Sequence, residues 1–205
     1  MINKTTSVSA FPVKTFWSPR RVARMAIFTA LAAVGALLKI PSPTGTVALD
    51  AAPGYFSAIA FGWLEGGIVS AFGHMLTAAT TGFPLGLPIH MLIAGEQFAW
   101  AALFAFLKEK TNIWVAIIAA TFCNGILGGL ILIPMGGTGL YLSMLPGLVV
   151  GSAVNVILAA LAYLGISKSG LIKSQRLAKL SSIKLCHQPV CVRKVQPAWS
   201  RTITG

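Results

Sequence analysis

Apolar residues fill long, nearly uninterrupted blocks of this chain, and polar residues are confined to the short stretches between them. A helix that crosses a bilayer needs roughly 20 apolar residues at about 1.5 Å of rise each. The block from Arg21 to Ile40 meets that requirement and is ended by Pro41-Ser42-Pro43. After the polar, turn-rich stretch Pro41 to Asp50, a second run extends from about Ala51 to Trp63. A third follows the lone Glu65, from Gly66 to about Thr80, and both are short for a full span. The segment Gly82 to Pro88 is dense in glycine and proline and predicts a loop. A fourth run, about Ile89 to Leu107, stops at Lys108-Glu109-Lys110. The fifth, about Ile113 to Ile133, ends at Pro134-Met135-Gly136-Gly137, and the sixth covers roughly Leu140 to Ile166 with Pro146 near its beginning. The pattern predicts an all-α integral membrane bundle of six transmembrane helices.

Composition excludes the main competitors. Of 205 residues, 56% are hydrophobic and 10% charged, against about 25% charged in an average globular chain. That leaves too little polar surface to clothe a soluble domain, and too much apolar content for a disordered one. The net charge of +12 is unevenly spread. Lys4, Lys14, Arg20, Arg21, Arg24 and Lys39 flank the first run, and eight more basic residues lie from Lys168 to Arg201. Only Lys108 and Lys110 stand between. Basic flanks mark the cytoplasmic side of a membrane and attract anionic headgroups. With both termini cytoplasmic, the inside loops are those at Glu65 and at Lys108 to Lys110. The outside loops Pro41 to Asp50, Thr81 to Leu87 and Pro134 to Gly139 then contain no Lys or Arg. Lys39 breaks the pattern, and its side chain can snorkel outward. Trp17, Trp63 and Trp114 fall at cytoplasmic ends, where indole rings favour the headgroup level. The expected organisation is a basic cytoplasmic segment over 1–20, a membrane domain over 21–166 and a basic, partly disordered cytoplasmic tail over 167–205. The expected location is a cell membrane, crossed several times. Outside the tail, no basic face interleaved with aromatics points to nucleic acid.

Intramembrane polar groups are costly, so each is a candidate for function, with a hydrogen-bonded structural role as its competitor. Asp50, before Ala51-Ala52-Pro53, fits both a helix N-cap and a substrate contact. His74 and His90 face the same outer leaflet as Asp50, although two histidines and one aspartate lack the spacing of a metal motif. Gln97, seven residues after His90, returns to nearly the same helix face, whereas Glu96 points roughly 120° away, toward a neighbouring helix. Asn124 and Asn155, in mid-helix, require partners as interhelical glue or ligand contacts. Tyr55 and Phe56 offer an aromatic wall for a planar ligand, or simple packing. The candidate substrate-binding set is therefore Asp50, Tyr55, His74, His90, Gln97, Asn124 and Asn155. Ala26 and Ala30, backed by Ala23 and Ala33, form a small-residue stripe that permits close helix approach, and Gly125, Gly129, Gly147 and Gly151 read as internal packing. Three cysteines, Cys123, Cys186 and Cys191, give no disulfide framework, and Cys186-His187-Gln188-Pro189-Val190-Cys191 lacks a fourth metal ligand. Ser143 and Ser152 have no G-x-S-x-G setting for an intramembrane protease, and no phosphate loop of the G-x-x-x-x-G-K-[ST] type is present. The chain is expected to bind without catalysing and to need no cofactor.

Ala26-Ile-Phe-Thr-Ala30 in a first helix preceded by arginines, Ile40-Pro41, and Val47-Ala48-Leu49-Asp50-Ala51-Ala52-Pro53 together resemble the substrate-binding subunit, or S component, of an energy-coupling factor (ECF) vitamin transporter. Gly62-Trp63-Leu64-Glu65-Gly66-Gly67 and the helix Ile68 to Ala78 extend the likeness, which covers about Arg21 to Ile166 and leaves the tail outside it. The run Gly45 to Tyr55, with Gly82 to His90, is most similar to the α-ribazole transporters. The resemblance implies capture of a vitamin or precursor, α-ribazole for cobamide salvage, in an outward pocket lidded by the three outside loops. It also implies that Ala26 and Ala30 dock on a transmembrane coupling subunit of the EcfT type, with two ATPases supplying energy. The alternatives are an S component for a different vitamin, or a stand-alone channel or secondary carrier, for which no repeat between 21–80 and 89–166 is visible.

Overall fold

The structure, a computed structural model, describes residues 17–42 and 45–168, with the backbone alone at 39–47. The expectations for the basic segments before Trp17 and after Lys168, for Cys186 and Cys191, and for the Lys39 side chain lie outside the described residues. The chain divides into two compact units, 1–163, which holds the bundle, and 164–205, of which only the end of the last helix is described.

Helix α1, Pro19–Leu37, starts where Ser18 accepts from the Arg21 N–H and Pro19 occupies the first turn. The chain then forms two short strands, β1 (Lys39–Ser42) and β2 (Gly45–Ala48), paired antiparallel in the register Ile40 to Val47. This hairpin corrects the all-α expectation. The fold is nearly all-helical, but Pro41 to Asp50 is not simply a loop. Four residues per strand, interrupted by Pro41, are too few for a period-two pattern to stand out.

Helix α2, Ala52–Phe61, is joined to α3, Trp63–Thr80, through Gly62 alone. Its φ of +131° is a conformation that only glycine adopts without strain, and it lets two short helices meet with one residue between them. Glu65, expected in a loop, lies instead in the first turn of α3 and is buried. Helix α4, Leu87–Lys110, follows Gly86, whose φ is +79°. Helix α5, Ile113–Phe122, opens on Asn112, whose side chain accepts from the N–H groups of Trp114 and Val115 at 3.0 Å each. The expected fifth helix is not regular to its end. It widens into a π turn over Cys123–Leu127 and tightens into a 3₁₀ turn over Gly128–Leu132. Helix α6, Ile133–Lys168, is broken at Gly136 and Gly137, inside the outer loop expected at Pro134 to Gly139.

Small residues set the spacing of this bundle. Gly66 lies against Ala58, Gly67 against the Phe98 ring, and Gly54 against Ser70, all too close to admit a β-carbon. Alanines and a few aromatics fill the centre, with Tyr55 edge-on to Phe104 at 5.5 Å. The exterior is apolar: Ile27, Phe72, Ile118 and Leu142 are each at least 60% exposed, while Glu65, His90, Ser152 and Asn155 are buried. That inversion suits lipid as the surrounding solvent. Among the described residues, two helical stretches, Leu87–Lys110 and Ile113–Lys168, are long and apolar enough to cross a membrane.

Candidate functional site

Three polar links gather around the start of α2. In the first, Thr77 of α3 donates to Asp50 Oδ2 at 2.5 Å. Burial pushes the Asp50 carboxyl above the usual carboxylate range, with the Thr77 hydroxyl opposing the shift.

The second link is Asn155, from the middle of α6. Its Oδ1 accepts from the N–H groups of Ala51 and Ala52 at 3.1 and 2.8 Å, and its Nδ2 donates to the carbonyls of Ala48 and Gly151 at 2.9 Å each. Asn155 thus caps α2 from another helix. The expectation that Asp50 caps α2 is corrected here: the cap position is Ala51, with no side-chain cap bond of its own, and the Asp50 carboxylate is turned to Thr77.

The third link joins the two histidines. His74 Nε2 and His90 Nδ1 are 3.1 Å apart, and the Leu85 N–H donates to His90 Nε2 at 3.4 Å. An acceptor role for Nε2 places the His90 proton on Nδ1, which donates to His74. The Phe83 ring stands edge-on to His90 at 5.7 Å, and Phe83 has a φ of +52°. The Thr81 to Gly86 loop is therefore held down on His90 by one hydrogen bond and one ring.

Deeper in the bundle, Gln97 Nε2 donates to Asn124 Oδ1, and Asn124 Nδ2 donates to Ser152 Oγ, both at 2.8 Å. This chain ties α4, the π turn and α6 together. Tyr55 is fully enclosed, with its hydroxyl buried and unpartnered. Thr77, which the sequence did not single out, and Ser152, which it raised only as a protease serine, complete these links. A hydroxyl three residues from His74 on one helix face was the available signal for Thr77. Among the described residues, no group of three His, Cys, Asp or Glu is placed to hold a metal ion.

At the other end of α1, Glu65 Oε1 receives Arg21 Nε at 2.7 Å and an Arg24 guanidinium nitrogen at 3.0 Å. Arg24 also lies over the Phe61 ring at 4.6 Å. Between this clamp and the hairpin, an apolar groove runs along α1 and α3, with Ala26 and Ala30 exposed in it beside Ile68, Phe72 and Leu76. Glu65→Ala leaves two guanidinium groups facing each other at the helix ends. Because Arg21 and Arg24 are 19% and 35% exposed, the expected cost is about 1–3 kcal/mol, below that of a fully buried pair. Thermal unfolding in detergent reads this, and an unchanged midpoint contradicts the clamp.

A helical bundle that is apolar outside and hydrogen-bonded inside, with polar side chains converging on one helix start, is a membrane-embedded binding protein. A family model for the substrate-specific component of ECF transporters matches residues 20–191. The chain belongs to that family. It is a membrane subunit that binds a transported substrate, is not an enzyme, and associates with EcfT and ATPase subunits. The match continues to residue 191, so the likeness does not end at Ile166 as the sequence alone indicated. A solved structure of the S component of a bacterial ECF transporter has the same fold, with a TM-score of 0.56 at 19% identity over 73% of this chain and 96% of that one. No curated protein matches the chain.

Proposed function

We propose that this S component captures α-ribazole at the Asp50 end of the bundle and delivers it through the coupling subunit. The observation that carries the reading is the convergence of Asp50 with Thr77, of His74 with His90, and of Asn155 on the start of α2. A carboxylate, imidazoles and amides are suitable partners for ribose hydroxyls and a benzimidazole nitrogen. Tyr55, Gln97 and Asn124 line the inner side of the same region in this reading. The hairpin, the loop held on His90 and the Gly136-Gly137 break serve as lids. The chain crosses the membrane six times with both termini cytoplasmic, supported by basic residues at the Arg21 end and by their absence from the opposite loops. Ala26 and Ala30 form the coupling-subunit dock, supported by the exposed apolar groove they line.

Vesicles carrying this chain with its coupling subunit and ATPases should accumulate α-ribazole when supplied with ATP, and vesicles carrying the chain alone should not. Accumulation by the chain alone makes it a carrier, and accumulation of another vitamin replaces the substrate. Asp50→Ala is expected to weaken α-ribazole binding about tenfold, through loss of charge-assisted hydrogen bonds. Equal affinity in calorimetric titration removes Asp50 from the site.

A further inference from the structure

The α4 face against the π and 3₁₀ turns carries polar groups that the links above do not use. Gln97 reaches Asn124, but one turn along the helix the Trp100 Nε1 is buried with no acceptor among the described residues. Glu96, half-buried on the same face as Trp100, receives no hydrogen-bond donor among the described residues either. Both point at one place, above Gly128. A methyl group on Gly128 would lie 3.4 Å from Trp100 Nε1, 3.5 Å from Glu96 Oε2 and 3.7 Å from the Cys123 carbonyl oxygen. An indole N–H can only donate and a carboxylate can only accept, so a group satisfying both must accept one hydrogen bond and donate another. Inside a membrane such groups find partners, because leaving them unpaired is costly. The switch from π to 3₁₀ geometry brings Gly128 to this place, and π turns recur at functional sites.

We infer that a hydroxyl oxygen seats over Gly128, accepting from the Trp100 indole N–H and donating to the Glu96 carboxylate, as a subsite for a hydroxyl of the captured molecule or for a resident water. An alcohol or water is the smallest group with the required donor and acceptor. An ammonium has no lone pair for the indole, and a carboxylate has no proton for Glu96. The choice of α-ribazole as probe rests on the proposed function; the geometry of the subsite does not.

Gly128→Ala tests this without disturbing the fold, since φ −62° and ψ −29° suit alanine and the methyl group meets nothing closer than 3.4 Å. In ¹⁵N-tryptophan-labelled protein, Trp100→Phe assigns one of five indole N–H resonances. If a water fills the subsite, the Trp100 resonance moves upfield in Gly128→Ala before any ligand is added. If a ligand hydroxyl fills it, α-ribazole moves the Trp100 resonance in the parent and not in Gly128→Ala, and the variant binds α-ribazole about tenfold more weakly while 5,6-dimethylbenzimidazole, which lacks the sugar, binds both equally. A Trp100 resonance that moves neither with the substitution nor with ligand overturns the subsite, even where α-ribazole binds normally. Absence of α-ribazole binding together with a shift in Gly128→Ala overturns the substrate and leaves the subsite standing.

Discussion

Asn155→Ala is expected to lower the unfolding midpoint sharply and to abolish measurable ligand capture. One amide satisfies four backbone groups, of which those at Ala48, Ala51 and Ala52 lie more than 100 positions away in sequence. Alanine leaves two N–H groups at the start of α2 and a hairpin carbonyl without partners, each worth about 1–3 kcal/mol when buried. Polar contacts in membranes are often smaller, so the sum is set at about 2–4 kcal/mol. Ligand capture fails with it, because Asp50 lies in sequence between Ala48 and Ala51, both held by Asn155, and loses its position relative to Thr77. Asn155→Asp separates the two roles. It keeps an acceptor for Ala51 and Ala52 and loses the donor to Ala48, so it should recover part of the stability. Denaturation monitored by circular dichroism reads both variants, and a midpoint for Asn155→Ala equal to the parent contradicts the cap.

Ala26→Trp is expected to behave in the opposite way, with binding and stability kept and uptake lost. Ala26 and Ala30 are exposed in the groove between α1 and α3, so an indole there lies in open groove and displaces no buried side chain. It does fill the surface on which a second helix would settle, and close helix approach in membranes depends on small residues. ATP-driven uptake by the assembled transporter should fall by more than about tenfold, equivalent to at least roughly 1.4 kcal/mol of docking energy, while α-ribazole titration of the purified variant is unchanged. Normal uptake by Ala26→Trp moves the dock elsewhere.

The bundle was legible because lipid demands long apolar helices, and breakers separate them at Pro41, Gly82 to Pro88 and Pro134. The pairing of His74 with His90 was also within reach, since two helices joined by the tight Thr81 to Gly86 loop bring residues near their facing ends together. Other parts were not readable from local pattern. Asn155 announced itself as a mid-helix amide in need of partners, yet its partners are backbone groups of a distant loop, which no side-chain pattern encodes. Glu65 looked like a loop residue because its neutralising arginines lie 41 and 44 positions earlier; pairing across helices, not local polarity, lets it enter a helix. The change from α to π to 3₁₀ geometry after Phe122 has no proline to mark it. Glycines at 125, 128 and 129 permit it, and two of them are also contact points, Gly125 with Val149 and Gly129 with Tyr141.

The most direct test of the account is titration of the detergent-purified chain alone with α-ribazole and a panel of vitamins, read as thermal stabilisation. A ligand that binds the native state raises its stability by mass action, by about 2.7 kcal/mol at a hundredfold excess over Kd. The account predicts saturable stabilisation by α-ribazole without any partner subunit, reduced in Asp50→Ala and retained in Ala26→Trp. Stabilisation by a different vitamin, or none by α-ribazole in well-folded protein, contradicts it.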